Sequence, residues 1–275
     1  MHLKLVIQYD GTDFSGSQLQ AAGKGRTVQG ELEQALARLV GSPIRIDLAG
    51  RTDTGVHAWG QVASLNFPAR PRLDQLDAIA KALNGILPRD LTVISAEQVA
   101  LDFHARFSAR WRGYRYLILN ARYPRPLLRR YSLHINQRLD LTAMQEALSK
   151  LVGTHDFASF AGHGLGVPDG DAREKPGTVR DVSVAKLARL DPEANFWAWE
   201  AEQTLKGQDG DLLAIDLVAN AFLPHMIRNI VGTLLEVGSG KRTVEEFGKL
   251  LESKDRRLAG QTAGPHGLCL VWVEY

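Results

Sequence analysis

Ala49-Gly50-Arg51-Thr52-Asp53-Thr54-Gly55-Val56-His57-Ala58 is the stretch on which the reading of this 275-residue chain turns. It follows an apolar run with strand patterning, Ile44 to Ala49, and precedes another, Gln61 to Phe67. Two glycines bracket its centre and let a second backbone or a substrate approach closely. A carboxylate beside an arginine stays ionised, and an ionised Asp on a loop is a competent nucleophile or general base. A plain turn with an ordinary Arg51–Asp53 ion pair accounts for the same letters. The decapeptide therefore marks a strand–loop–strand unit with a candidate centre at Asp53, its chemistry still open.

Working outward, His2 to Tyr9 puts Leu3, Leu5, Ile7 and Tyr9 on one face, a strand pattern. Thr27 is placed to N-cap a helix with the stripe Val28, Leu32, Ala35, Leu36, Leu39 and Val40, which Gly41 ends. A helix from about Leu73 to Leu83 and a strand from Leu91 to Val99 follow. The same elements recur further on. Strands are expected over Tyr114–Asn120, Val179–Leu187, Leu212–Ala219 and Leu268–Tyr275. Helices are expected over Leu141–Val152 with a capping box Thr142 to Gln145, over Phe222–Val237, and over Thr243–Leu251 with a box Thr243 to Glu246. Two comparable blocks of strands and helices make an α+β protein. Between Ala161 and Thr178, glycines, Pro168 and Pro176 predict a long loop of the kind that often carries function.

Hydrophobic residues are 44% and charged residues 23%, enough to build a core, which excludes a disordered chain. Cys269 is the single cysteine, so neither an internal disulfide nor a cysteine-cluster zinc site is possible. No apolar run reaches the ~20 residues of a membrane span, and Met1 to Tyr9 lacks the pattern of a signal peptide. A soluble cytoplasmic protein is expected. The formal net charge of +2 looks nearly neutral. Its distribution is not: Phe103 to Arg130 holds eight arginines (Arg106, Arg110, Arg112, Arg115, Arg122, Arg125, Arg129, Arg130) and no acidic residue. Trp111, Tyr114, Tyr116 and Tyr123 are interleaved with them. A solvated basic face and a polyanion-binding surface both fit this run.

His57 and Asp53 are too few for a catalytic zinc site, which needs three protein ligands, and His104, His225 and His266 are scattered. No metal is expected. No GxxxxGK[ST] loop, strand–helix GxGxxG or Gly-x-Ser-x-Gly elbow occurs, so nucleotide hydrolysis, dinucleotide redox chemistry and serine hydrolysis lose their usual markers. Arg228 lies in the first turns of an otherwise apolar helix, where a charge is costly unless paired. Asp53 is a candidate partner.

These residues together resemble the TruA family of tRNA pseudouridine synthases. Tyr9-Asp10-Gly11-Thr12 to Gln20 is similar to the family's opening YDGTxFxGWQxQ, and residues 50–58 to its GRTDxGVHA. Phe103 to Ala109 matches FHARFSA, Tyr114-Arg115-Tyr116 its YxY, and His155 to Phe160 its HDFxSF. Asn220 to Gly232 resembles the NxFLxxMxRNIVG helix, and Gly267 to Tyr275 the closing GLYLxxVxY strand. The chain departs from the pattern at Ser17 for Trp, at Pro224, and at Cys269 for Tyr.

The resemblance implies uridine isomerised to pseudouridine at tRNA positions 38, 39 and 40 in the anticodon stem-loop, by base flipping and without a metal or nucleotide cofactor. Asp53 would be the catalytic aspartate, Arg228 its partner, Arg51 the residue that moves the base from its stack and Tyr114 the one that stacks on it. Leu268 would pack beneath the base, with His57, Arg106, Arg110, Arg112 and Arg115 on the substrate side. Attack of the carboxylate at C1′, attack at C6 and abstraction of a 2′ proton all fit. The implied architecture is two ferredoxin-like (RRM-like) halves, residues 1–102 and 103–275, sharing an extended antiparallel sheet. Helices would lie on its outer side and an active cleft between the halves. A homodimer is also implied. A non-catalytic RNA-binding module and a metal hydrolase using His57 are the competing readings.

Overall fold

A computed structural model of the chain describes residues 1–20, 25–68, 76–162, 177–190 and 210–275. Among them are ten strands, mostly antiparallel, and five α-helices. The strands are β1 (His2–Tyr9), β2 (Ile46–Leu48), β3 (His57–Asn66), β4 (Leu91–Gln98), β5 (Trp111–Ala121), β6 (Leu133–Ile135), β7 (Gly153–Asp156), β8 (Val179–Leu190), β9 (Gly210–Ala219) and β10 (Leu268–Glu274). The helices are α1 (Val28–Val40), α2 (Leu76–Asn84), α3 (Leu141–Ser149), α4 (Met226–Gly238) and α5 (Val244–Ser253). The chain forms two compact units. One comprises Met1–Tyr114 with Cys269–Tyr275, the other Arg115–Leu268.

In the first unit the order is β1-α1-β2-β3-α2-β4, and the sheet runs β4-β1-β3 with β2 on the far edge of β3. Strand β1 lies antiparallel to both neighbours, with Leu5 opposite Ala63 of β3 and Ala96 of β4. Its alternation buries Leu3, Leu5, Ile7 and Tyr9 on one face, as the period of two requires. The ten-residue β3 serves two partners. Its second half pairs with β2, Ile46 opposite Leu65. Its first half pairs in parallel with the closing strand β10, Cys269 opposite His57 and Leu270 opposite Ala58. Helix α1 is delimited by the residues that the sequence marks. The Thr27 hydroxyl accepts from the Gly30 N–H, and Gly41 ends the helix in the left-handed region at φ 79°. Val28, Leu32, Leu36 and Val40 form its buried stripe, each contributing about 1.5–3 kcal/mol of transfer free energy.

In the second unit the sheet order is β5-β9-β8-β7, with β6 parallel to β5. Helix α3 packs on α4, α5 and β8. The expected capping box at Thr142 is corrected. Asp140 is the N-cap, its carboxylate accepting from the Ala143 N–H, because the chain enters the helix two residues earlier than a Thr142 box requires. The box at Thr243 does form, with Glu246 N–H to Thr243 Oγ1 at 3.1 Å and Thr243 N–H to Glu246 Oε2 at 2.8 Å. Helix α4 starts at Met226 and not at Phe222. Pro224 disfavours helical backbone before it, and His225 stands in the left-handed region at φ 59°. Strand β3 starts at His57, four residues before the patterned run at Gln61. Short strands β6 and β7 have no signal in their sequence. Most of the expected 161–178 loop, residues 163–176, lies outside the described residues, as does the start of the helix expected from Leu73.

Candidate active site

Asp53 sits in the turn between β2 and β3, half-buried, with its carbonyl accepting from the Val56 N–H at 3.1 Å and Gly55 in the left-handed region at φ 79°. The loop has little regular structure of its own, and other segments hold it. The Tyr9 hydroxyl, at the end of β1, meets Thr52 Oγ1 at 2.8 Å. Gln61 Nε2 donates to the Gly50 carbonyl at 2.8 Å. The Thr52 N–H donates to Ser17 Oγ at 2.8 Å, and the Ser17 N–H donates to the Thr52 carbonyl at 3.0 Å. Burial pushes the Tyr9 phenol up to about 12, its bonds to Thr52 and Gln61 opposing the rise.

The Asp10–Asp13 turn presses on the same loop from another side. A Cβ on Gly11 would lie 2.0 Å from the Val56 carbonyl oxygen, so only glycine fits there. The Gly11 N–H donates to His57 Nδ1 at 3.0 Å, and Asp10 Oδ1 stands 3.2 Å from the same nitrogen. The two partners share one ring nitrogen, which accepts from the amide in one tautomer and donates to the carboxylate in the other. His57 is 5% exposed and braces the turn from beneath. Among the described residues no group of three or more His, Cys, Asp and Glu side chains could hold a metal ion.

Tyr114, in β5, is 8% exposed. Its hydroxyl would lie 3.6 Å from a Cβ built on Gly50, which places it over the same loop. Burial raises the phenol above its ordinary range. The charge of Tyr9 adds to this, Arg112 opposes it, and the Asp53 carboxylate adds again. Tyr114 is therefore a neutral phenol across the physiological range. Arg51 is exposed, and its pKa is lowered by partial desolvation and by the nearby Arg106 charge.

The arginines of the acid-free run divide by environment. Arg112 is 8% exposed, and its guanidinium donates to the carbonyls of Ala49, Arg106 and Ala109. It ties the base of the Asp53 loop to the segment before β5. Arg106 is exposed over the Phe107 ring, and Arg110 is exposed beside Glu274. In the second unit, Arg115 makes a two-pronged pair with Asp216 at 2.7 and 2.9 Å. Arg228, in the first turn of α4, donates from Nε to the Ala263 carbonyl at 2.8 Å, and the Ala263 N–H returns to the Arg228 carbonyl at 3.0 Å. Leu268 is buried where β10 begins.

A family model described as tRNA pseudouridine synthase matches residues 5–108 and 147–275. The chain belongs to the tRNA pseudouridine synthase family. It is 44% identical to tRNA pseudouridine synthase A of Roseiflexus sp. (strain RS-1) over 274 residues, covering 100% of this chain and 90% of the relative. The protein of that name from Chloroflexus aurantiacus (strain ATCC 29366 / DSM 635 / J-10-fl) is 46% identical over 273 residues, 99% and 88% of the two chains. The one from Moorella thermoacetica is 40% identical over 273 residues, 99% of each. Membership of the pseudouridine synthase family makes the chain an isomerase acting on tRNA.

Within this pseudouridine synthase, Asp53, Arg51, His57, Tyr114, Arg106, Arg110 and Arg112 all belong to the first unit, and Arg115, Arg228 and Leu268 to the second. Sequence reading missed the supports of the Asp53 loop: Tyr9, Thr52, Gln61 and the Ser17 hydroxyl. No local pattern could have found them, because their hydrogen-bond partners are 11 to 43 residues away.

Proposed function

We propose that this enzyme converts uridine to pseudouridine at positions 38, 39 and 40 of the tRNA anticodon stem-loop, with Asp53 as nucleophile. The reaction breaks the bond from ribose C1′ to base N1, turns the detached base and joins C1′ to C5, which gives up its proton while N1 gains one. Nothing is oxidised or reduced, and the chain's own carboxylate, phenol and guanidinium groups suffice. The observation that carries the reading is that Tyr114, from β5, sets its neutral, buried phenol over the loop that holds Asp53, its hydroxyl 3.6 Å from where a Cβ on Gly50 would stand.

A stem uridine leaves its stack before Asp53 reaches it, at a cost of a few kcal/mol. Arg51, exposed beside Asp53, occupies the gap, and Tyr114 stacks on the flipped base. Leu268 packs beneath it, and His57 keeps the turn in register. Arg228 as the partner of Asp53 rests on the cost of an unpaired charge in an apolar helix and on the family resemblance; the homodimer rests on the resemblance alone, and a cytoplasmic location is part of the same reading. Arg106 and Arg110 are exposed and suited to phosphates, whereas Arg112 and Arg115 act through the backbone and through Asp216. The first unit's element order and its sheet order β4-β1-β3-β2 support a ferredoxin-like half there.

The test is to incubate unmodified tRNA with the wild type and with Asp53→Asn, with and without EDTA, and to map pseudouridine. The wild type is expected to modify positions 38–40 regardless of chelator. Asp53→Asn is expected to bind tRNA and leave it unmodified. Normal turnover by Asp53→Asn overturns the mechanism, and loss of activity in EDTA overturns the metal-free reading.

A further inference from the structure

Ser17 stands where the family's opening motif carries Trp, and it is wholly buried. Its side chain and backbone grip one residue, Thr52, from two directions. The Thr52 N–H donates to Ser17 Oγ at 2.8 Å. The Ser17 N–H donates to the Thr52 carbonyl at 3.0 Å, and the Ser17 carbonyl accepts from the Gln29 N–H at 2.9 Å. That last bond anchors Ser17 to the first turn of α1, a rigid element. Gly16 adds to the fit: at φ 95° it occupies the left-handed region, and a Cβ there would stand 3.0 Å from the Thr52 carbonyl oxygen.

These bonds act on two peptide planes. The Thr52 N–H belongs to the plane between Arg51 and Thr52, and the Thr52 carbonyl to the plane between Thr52 and Asp53. The Ser17 backbone fixes the second plane. The Ser17 hydroxyl fixes the first, and so sets the direction of Arg51 relative to Asp53. An indole has a donor and no acceptor, so a Trp side chain could not accept from the Thr52 amide. We propose that Ser17 is a positioning residue for the Asp53 loop, its hydroxyl orienting the Arg51–Thr52 peptide. The proposal rests on Asp53 being the nucleophile.

Ser17→Ala removes the acceptor and keeps the backbone bond. With unmodified tRNA as substrate, kcat is expected to fall about tenfold to a hundredfold, the loss that small misplacements of reacting groups produce. Affinity for tRNA should hold at the wild-type value. Hydrogen exchange at the Thr52 amide should speed up while the Gly30 amide stays unchanged. Leu36→Ala, a buried change in α1 away from Thr52, serves as the stability control, with a lower melting temperature and wild-type kcat at 25 °C. Ser17→Cys, nearly isosteric with a weaker acceptor, should fall between wild type and Ser17→Ala, and it carries the test if Ser17→Ala does not fold. Wild-type kcat in either Ser17 variant, with Asp53→Asn inactive, overturns the Ser17 assignment alone. Full activity in Asp53→Asn overturns the reading beneath it, and the assignment with it.

Discussion

Tyr114 combines a stacking ring with a phenol that burial keeps protonated. Replacing it with Phe preserves the ring and removes the hydroxyl facing Gly50. Tyr114→Phe is expected to bind tRNA as the wild type does and to turn over more slowly, measured as kcat on unmodified tRNA with affinity determined in parallel. An unchanged kcat would confine Tyr114 to stacking. Tyr9 gives a pH dependence with a definite sign. Its pKa is 10.0 in the unfolded chain and about 12 when folded, so the folded state holds its proton more tightly. The resulting stability is fully present below pH 10 and is lost as pH rises from there toward 12. Thermal melts between pH 9 and 12 should show that decline, and Tyr9→Phe should make it shallower.

Gly11 and Thr243 show what single positions do for whole elements. Gly11→Ala would drive a Cβ into the Val56 carbonyl and displace the turn that carries Asp53. A loss of ~1–3 kcal/mol is expected, as for other overpacked sites, together with reduced kcat, read from denaturant unfolding and tRNA turnover. Thr243→Ala removes a complete capping box at the start of α5, remote in sequence from the Asp53 loop. It should cost about 1 kcal/mol and leave kcat unchanged. The pair separates a backbone contact that shapes the site from one that only steadies a helix. The α1 and α5 starts were legible because a cap and its partner sit three residues apart. Helix α4 was misread at its start because Pro224 and the left-handed His225 delay it, while the apolar pattern already runs from Phe222.

Across the molecule, the acid-free run separates into structural and solvent-facing arginines. Arg112 is buried among carbonyls, whereas Arg122, which stacks over Tyr123, and Arg129 are exposed. If these exposed groups hold phosphates, tRNA affinity falls with salt on a logarithmic slope set by the number of contacts. Arg122→Gln and Arg129→Gln should each lower that slope by about one, with kcat at saturating tRNA unchanged. Arg112→Gln should instead lower the melting temperature and leave the salt slope in place. Affinities measured across a salt series separate the two groups. A wild-type slope in the Arg122 and Arg129 variants would remove them from the RNA contact.

Features encoded over short range could be read directly from the residues. Alternation in His2–Tyr9, the stripe and caps of α1, and the Gly50–Ala58 loop each depend on neighbours a few positions apart, so their residue types declare them. The resemblance carried Asp53, Arg51 and Tyr114 together, and folding places all three in the first unit. The supports of the Asp53 loop were beyond such reading. Ser17, Tyr9 and Gln61 reach Thr52 and Gly50 across distant segments, and β10, which follows the second unit in the chain, pairs with β3 more than 200 residues before it. A hydroxyl or a carbonyl carries no mark of its partner in the one-dimensional chain. Packing brings the two together and removes the water that would otherwise satisfy them. For the same reason Arg112 and Arg122 look alike as letters, and the side chain's final surroundings separate a brace from a solvent-facing cation.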